Sequence, residues 1–246
     1  MGFFNEIGQY LVLMTRVFKR PENEKIYLKR IIVEFDHLGL DSLGIVAIIS
    51  VFMGAVTCLQ IAFNIDHPLI PSYTIGYAVR ETVVLEFSPT IISLILAGKV
   101  GSRIASEIGT MRITEQIDAL EIMGINPAAF LIFPKIMASV IINPVLIVVS
   151  MFLAVLGGWL AGILTGLVTS EHYILGIQSF VDSFTILYAL IKTVVFAFII
   201  SSISSYYGYY TKGGALEVGN ASTKGVVNSS IMIIVFNLIL TQLLLT

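Results

Sequence analysis

The sequence predicts an all-α integral membrane protein, and three observations carry that prediction. Of 246 residues, 57% are hydrophobic and 12% charged, roughly half the charged share of an ordinary soluble domain. Mean hydropathy is +0.93, and a soluble domain of this size has no interior large enough to hide so much apolar side chain. The apolar residues also fall into uncharged runs near the length of about 20 residues that crosses a bilayer. Between two such runs stands a polar, helix-forming island, Gly98 to Pro127 (GKVGSRIASEIGTMRITEQIDALEIMGINP). It sets Lys99, Arg103 and Arg112 beside Glu107, Glu115, Asp118 and Glu121. Such an island is where a membrane chain meets something in water, and it reads as a docking element for a soluble partner.

At the start of the chain Phe3, Ile7, Tyr10, Leu11, Met14, Val17 and Phe18 recur at helical spacing. Arg16, Lys19 and Arg20 follow, and Pro21 breaks the pattern. The basic residues come after the apolar ones and no small-residue cleavage site appears, which is not the order of a signal peptide. One apolar face with a basic end describes an amphipathic interfacial helix. Packing on the chain's own membrane domain is the blander alternative, and the two are compatible. A second amphipathic stretch sets Leu28, Ile31, Ile32 and Phe35 beside Lys25, Lys29 and Arg30. Residues 1–37 are read as an interfacial N-terminal region.

Five transmembrane helices follow. The first covers about 42–65, and Asp66-His67-Pro68 and Pro71 close it as a loop. The second is harder to place, because only the residues Phe87 to Gly98 separate Glu86 from Lys99. At about 1.5 Å per residue that run falls short of a core about 30 Å thick. The span must begin upstream, at about 77, which puts Glu86 inside the membrane and Arg80 and Glu81 near its edge. Pro89 is a potential kink. The third span, about 136–168, is long for one helix and short for two. A single bent or tilted helix and a partial re-entrant both remain open, with Pro144 and Gly157-Gly158 as bend points. Gly158, Gly162 and Gly166 recur at every fourth position there. That spacing lets two helix backbones approach, unless it is the ordinary glycine content of a membrane helix. Glu171 to Asp182 reads as a loop. The fourth span, about 184–207, is apolar apart from Lys192, and the fifth covers about 226–245. The connection Gly208 to Gly225 is glycine-rich and polar but lacks phosphate-loop spacing.

Orientation follows from Lys and Arg. With the N-terminus in the cytoplasm, six precede the first span (Arg16, Lys19, Arg20, Lys25, Lys29, Arg30). Four lie in the island or just after it (Lys99, Arg103, Arg112, Lys135), and two sit between the last spans (Lys212, Lys224). Twelve of 14 then lie inside, which puts the island in the cytoplasm and the C-terminus outside. Two charges remain in spans, Glu86 and Lys192. A charge in hydrocarbon costs about 2.5–3.5 kcal/mol, so such groups face a cavity or a partner. Both fall toward the outer leaflet, where they line a polar cavity, form a fixed pair or snorkel separately.

Other chemistry is sparse. Cys58 stands alone in an apolar run, and His37, His67 and His172 are far apart, so no metal site is expected. No basic stripe suggests nucleic acid, and no nucleophile elbow or nucleotide motif appears. Any vectorial work must draw its energy from a partner or an ion gradient. The island's helical part, about Thr114 to Met123, stops at Gly124 with Asn126-Pro127 beyond. On a continuous helix Glu107, Thr114, Asp118 and Glu121 share one face, Ile113, Ile117 and Leu120 another, and Glu115 lies off the acidic face. A two-faced helix suits one side on the membrane domain and one in a partner's groove.

AGKVGSRIASEIGTMRITEQIDALEIMGINP resembles the signature of the MlaE (YrbE) permease family, membrane subunits of ABC transporters that work with MCE-domain proteins. GYYTKGGALEVGNASTKGVVNSS is similar to that family's C-terminal motif at Gly208, Tyr209, Gly213, Gly214, Ala215, Val218, Gly219, Thr223, Val226, Val227 and Ser229. EFSPTIISLILAGKVGS and LIKTVVFAF match as well, so the likeness runs from about Leu38 to the end. It implies an N-terminal amphipathic interfacial helix and a permease domain over 38–246 with five transmembrane helices, assembled as a homodimer. The island helix, about 110–123, is then a cytoplasmic coupling helix between the second and third spans. It docks on a cytoplasmic ATPase subunit, with Glu107, Arg112, Thr114, Glu115, Asp118 and Glu121 as candidate contacts. The implied substrate is phospholipid, held in an outward-open cavity at the dimer interface beneath a ring of periplasmic MCE-domain proteins. Glu86 and Lys192 fall on charged positions near that cavity. The implied role is phospholipid traffic between inner and outer membranes, which maintains outer-membrane lipid asymmetry, from the bacterial inner membrane. The chain is then a transport subunit rather than an enzyme and needs no cofactor of its own, ATP being bound by the partner. A small cytoplasmic accessory subunit is a further expected partner.

Three positions depart from the family pattern: Leu85 where some members carry Arg, Glu217 where Gly is usual, and Asn237 where Asp is common. The first puts in doubt that the lipid phosphate is bound in the same way. The rival reading is an ion-coupled secondary carrier with Glu86 as the titrating group. It predicts transport without an ATPase, although such carriers commonly show internal repeats and none is visible. A third reading is a structural scaffold, against which the intramembrane charges argue.

Overall fold

The structure, a computed structural model, describes residues 3–19, 24–65 and 70–245. All regular structure among them is helical, and five helices are long and apolar enough to cross a membrane. The protein is an all-α integral membrane protein. Arg20, Pro21 and the Asp66-His67-Pro68 turn lie outside the described residues.

Helix α1 (Phe3–Val17) stands apart from α2 (Glu24–Phe35). The latter passes through a π-helical turn, Asp36–Leu40, straight into α3 (Asp41–Asn64). The second amphipathic stretch is therefore the polar foot of the first spanning helix, Lys25–Asn64, and not a separate interfacial element. No proline interrupts it. The π turn is held from outside, since Arg103 donates to the His37 carbonyl at 2.9 Å and to Asp41 at 2.7 Å. Lys99 donates to the Asp41 carbonyl.

The second spanning helix, Tyr73–Ile113, is assembled from α4 (Tyr73–Thr82), a π segment Val83–Ile91, α5 (Ile92–Leu96), a second π segment Ala97–Gly101, and α6 (Ser102–Ile113). It starts earlier than the sequence suggests and does not stop at Gly98, because the first half of the island is helix-forming in spite of its charge. Helix α7 (Gln116–Ile122) completes the island. Helix α8 (Pro127–Leu164) is a single helix with Pro127 at its first position, where no N–H is needed. It absorbs Lys135 and Pro144 without a break, so no re-entrant forms. The segment read as a loop contains α9 (Ser170–Gln178), capped by Thr169. After α10 (Ser183–Tyr209) the glycine-rich connection is mostly helical, since α11 (Ala215–Leu245) begins at Ala215.

The chain divides into two compact units. The first, the island unit, comprises Met1–Ser42, Leu94–Asn143 and Val194–Thr246. Here α1 buries Leu13 and Val17, and Tyr10 donates to Ser202 Oγ of α10 at 2.9 Å. Burial pushes the Tyr10 phenol above its ordinary pKa, and the Ser202 bond offsets part of that. The polar start of α11 lies on α6. Ser222 donates to the Ser102 carbonyl at 3.2 Å, and a Cβ on Gly208 would stand 2.7 Å from the Ala105 carbonyl oxygen. The small residues of the C-terminal motif thus let two helix backbones meet.

The second unit comprises Leu43–Ser93 and Pro144–Thr193. Its core is Cys58, Ala62, Ile75, Val79, Val83, Ala154, Val168 and Tyr173. Helices α3 and α8 touch at Gly54, where a Cβ would lie 1.8 Å from the Ala154 oxygen, and at Gly157, 2.1 Å from the Val51 oxygen. Gly158 faces the Tyr173 hydroxyl and Gly162 faces Cys58. Gly166 does not join them. It lies beyond the end of α8 at φ 71°, the left-handed conformation that stops a helix, with open space around it. The every-fourth-residue stripe is therefore a two-glycine packing face plus a helix stop, with Gly157 as the closer contact.

Candidate functional site

Glu86 and Lys192 meet. Lys192, on α10, has a fully buried side chain, and its Nζ lies 2.7 Å from Glu86 Oε1. Glu86 keeps 38% of its side chain exposed, and its second oxygen accepts from Thr90 Oγ1 at 3.1 Å. Two further groups hold the ammonium, the Tyr188 ring at 4.6 Å from its centroid and the Leu85 carbonyl at 3.3 Å. That carbonyl is placed by the local sequence. Pro89 has no N–H to return to the residue four back, and the helix widens to a π segment around it. The result is a buried cation with one charged and two uncharged partners, and a carboxylate open on one side. A hydroxyl seam belongs to the same unit. Ser50 and Ser150 Oγ stand 2.8 Å apart, and Ser150 donates to Ser88 Oγ at 3.1 Å.

The island's acids do not share one continuous face, because Glu107 lies on α6 while Asp118 and Glu121 lie on α7. α6 ends at Ile113, and Glu115 takes a left-handed backbone (φ 60°) before α7 begins. Thr114 donates back to the Thr110 carbonyl at 2.8 Å, and Gln116 donates to Thr114 Oγ1 at 3.0 Å. Such side-chain bonds compete with the backbone ladder and favour a break there. Each acid other than Glu115 then has an internal partner. Glu107 sits on Lys135 at 2.8 Å. Asp118 pairs with Arg112 at 2.7 Å. Glu121 accepts from Tyr209 at 3.4 Å, and the same Tyr209 ring lies 5.9 Å from the Arg112 guanidinium. Ile117 is fully buried. Exposed along α7 and its C-terminal cap are Gln116, Ala119, Glu121, Ile122 and Met123, with Ile122 88% and Met123 64% exposed. A Schellman closure ends it: Gly124 (φ 79°) donates to Glu121 O and Ile125 to Leu120 O, both at 3.0 Å.

The description Permease MlaE belongs to a family model that matches residues 31–243 of this sequence. The chain belongs to the MlaE permease family. A probable ABC transporter permease protein of Rickettsia felis is 35% identical over 98% of this chain and 93% of its own length. One from Synechocystis sp. is 29% identical over 98% and 92% respectively. The chloroplast protein TRIGALACTOSYLDIACYLGLYCEROL 1 of Arabidopsis thaliana is 30% identical over 94% of this chain and 66% of its own length. This MlaE-family chain is an ABC transporter permease, a multi-pass membrane subunit that works with an ATPase.

The contacts of three basic groups in this MlaE permease have no counterpart in the sequence pattern. Lys135 counts there as an ordinary basic flank. In the structure it is 2% exposed and bound by Glu34 of α2 at 2.6 Å as well as by Glu107. Arg30, one turn before Glu34, lies 3.5 Å over the Phe130 ring and donates to its carbonyl. Arg80, expected at a membrane edge, reaches the carbonyls that end α9. None of these partnerships has a signal in sequence spacing, because the partners lie 28 to 101 residues apart.

Proposed function

We propose that this permease moves phospholipid between the inner and outer membranes and so maintains outer-membrane lipid asymmetry. One observation carries the reading: a buried ammonium, Lys192, in a spanning helix against a carboxylate, Glu86, that keeps 38% exposure. A charge in the hydrocarbon costs about 2.5–3.5 kcal/mol unless it meets a polar partner. A phospholipid phosphate is such a partner, and the open side of Glu86 gives it a route to the lysine. Lys192 then attracts the phosphate, and Glu86 sets its position and the net charge of the site. Leu85 leaves the phosphate without the second cation that some family members carry.

The remaining assembly is inferred from the same family likeness. Only 11% of the most apolar window of α11 is buried within its own chain, which leaves that helix available to a second copy in a homodimer. The Lys and Arg distribution supports an N-terminus and α7 in the cytoplasm and a C-terminus in the periplasm of an inner-membrane protein. The ATPase seats on α7 through the face Gln116–Ala119–Ile122–Met123, while Arg112, Asp118 and Glu121 hold that helix in place. ATP binding closes the ATPases and moves α7, the spans approach, and lipid passes to a periplasmic MCE-domain protein. Hydrolysis resets the site.

The test is transport by the reconstituted complex. Phospholipid and an MCE-domain protein should copurify with the permease and its ATPase in mild detergent. Lys192→Ala and Glu86→Ala should each lower ATP-dependent lipid transfer between vesicles. Full transfer by both variants overturns the assigned roles. Transfer that proceeds without ATPase and follows an ion gradient instead supports the secondary-carrier reading.

A further inference from the structure

The turn between α9 and α10 is built for a purpose that transport across the spans does not use. Phe180 holds a left-handed backbone (φ 51°), a conformation that bulky L side chains avoid. Its side chain is 78% exposed, and that of Val181 62%. A strained turn ending in two exposed apolar side chains relaxes unless something fixes it. Arg80 of α4 does so. Its Nη1 donates to the Ile177 and Ser179 carbonyls at 2.6 and 2.7 Å, and Nη2 donates to the Phe180 carbonyl at 3.1 Å. Nε and Nη2 also reach Glu81 Oε1 at 3.2 and 2.6 Å, so the guanidinium's five donors are all engaged. The Tyr77 ring meets the Phe180 ring edge-on, with centroids 6.0 Å apart. On the far side Asp182 accepts from the Phe184 N–H at 3.0 Å and starts α10.

We propose that Phe180 and Val181 are a bilayer anchor, seated in the boundary between lipid headgroups and acyl chains. Continuity with the membrane-facing surface argues for lipid as the occupant. Two residues past Val181 the chain enters a spanning helix whose first turns expose Phe184, Ile186 and Leu187. Tyr73, Tyr77 and Trp159, the amphipathic aromatics that collect at membrane–water boundaries, belong to the same unit. Asp182, exposed beside the apolar pair, keeps one end of the turn in water. Lipid removes the two side chains from water, and the Arg80 clamp means that insertion has little ordering left to do. The anchor does not depend on which substrate the permease carries.

Trp159 is the one tryptophan in the chain, so Trp159→Phe with Phe180→Trp leaves a single reporter at the tip. The full-length variant is reconstituted in phosphatidylcholine vesicles with or without bromine on the shallow acyl carbons. The expected result is loss of most emission in brominated lipid and little loss to aqueous acrylamide. Adding Arg80→Met should red-shift the emission and abolish most of the lipid quenching. Quenching by acrylamide alone overturns the anchor. Protection from both quenchers also overturns it, in favour of a protein surface covering the tip. Unchanged quenching in the Arg80→Met background removes Arg80 as the clamp. A second reporter guards against misfolding of the aromatic swap. Val181→Cys is spin-labelled while buried Cys58 stays unlabelled. Relaxation dominated by oxygen supports lipid contact, and relaxation dominated by a water-soluble nickel complex refutes it.

Discussion

Replacing Lys135 by methionine keeps the length of the side chain and removes its charge. In the parent the ammonium lies 2.6 Å from Glu34 and 2.8 Å from Glu107 and is 2% exposed. The variant leaves two carboxylates facing one another with no cation between them. Removing one partner of a buried ion pair costs about 3–5 kcal/mol. Here the Glu34 and Glu107 side chains retain 16% and 40% exposure, and water relieves part of the penalty, so the loss falls to about 2–3 kcal/mol. At about 2–4 °C per kcal/mol for a chain of this size, the melting midpoint should drop by about 5–10 °C. Thermal unfolding of the purified protein in a mild detergent reads this directly. The triple variant Lys135→Met, Glu34→Gln, Glu107→Gln should recover most of the loss, because no charge is then left unpaired. If the single variant melts with the parent, or the triple melts below the single, the ammonium does not neutralise these acids in the way the geometry requires.

Other substitutions test separate parts of the fold. Gly54→Ala and Gly157→Ala drive a Cβ into backbone carbonyls on the facing helix, so neither should yield a monodisperse protein on gel filtration. Gly44→Ala, in α3 with open space around the new methyl, should instead raise stability by about 0.5–1 kcal/mol, seen as a higher melting midpoint. Tyr209→Phe removes the donor to Glu121 and costs about 1 kcal/mol. In the complex it should weaken transport-coupled ATPase activity more than it lowers the melting midpoint, since it frees α7 and leaves the spans intact. Equal losses in both would mean that Tyr209 serves general stability only.

Hydropathy was enough to see five spans, because a bilayer demands long apolar runs and this chain leaves few charges inside them, Glu86 and Lys192 included. The pairing of Glu86 with Lys192 was legible as one of three options, since a charge stranded in a span must find company. Helix ends were less legible. The island continues the second helix to Ile113, and polar residues 215–225 form the first turns of α11. In each place tertiary packing overrides polarity: Gly109, Gly208 and Gly225 let α6, α10 and α11 approach closely. The acidic face was misread for a local reason, the left-handed Glu115 that separates α6 from α7. An unbroken helical wheel cannot register such a break. Lys135 was misread for a non-local one, since its two carboxylates come from distant segments.

The Leu85 carbonyl gives the intramembrane lysine a second hold that carries no charge. An acid alone would leave the cation to a single side chain that is itself 38% exposed. With a backbone oxygen and the Tyr188 ring also gripping it, the ammonium is held from three sides and not by Glu86 alone. The proline that widens this helix thereby acts on electrostatics as much as on shape: it turns a backbone dipole toward a buried cation that would otherwise rest on side chains alone.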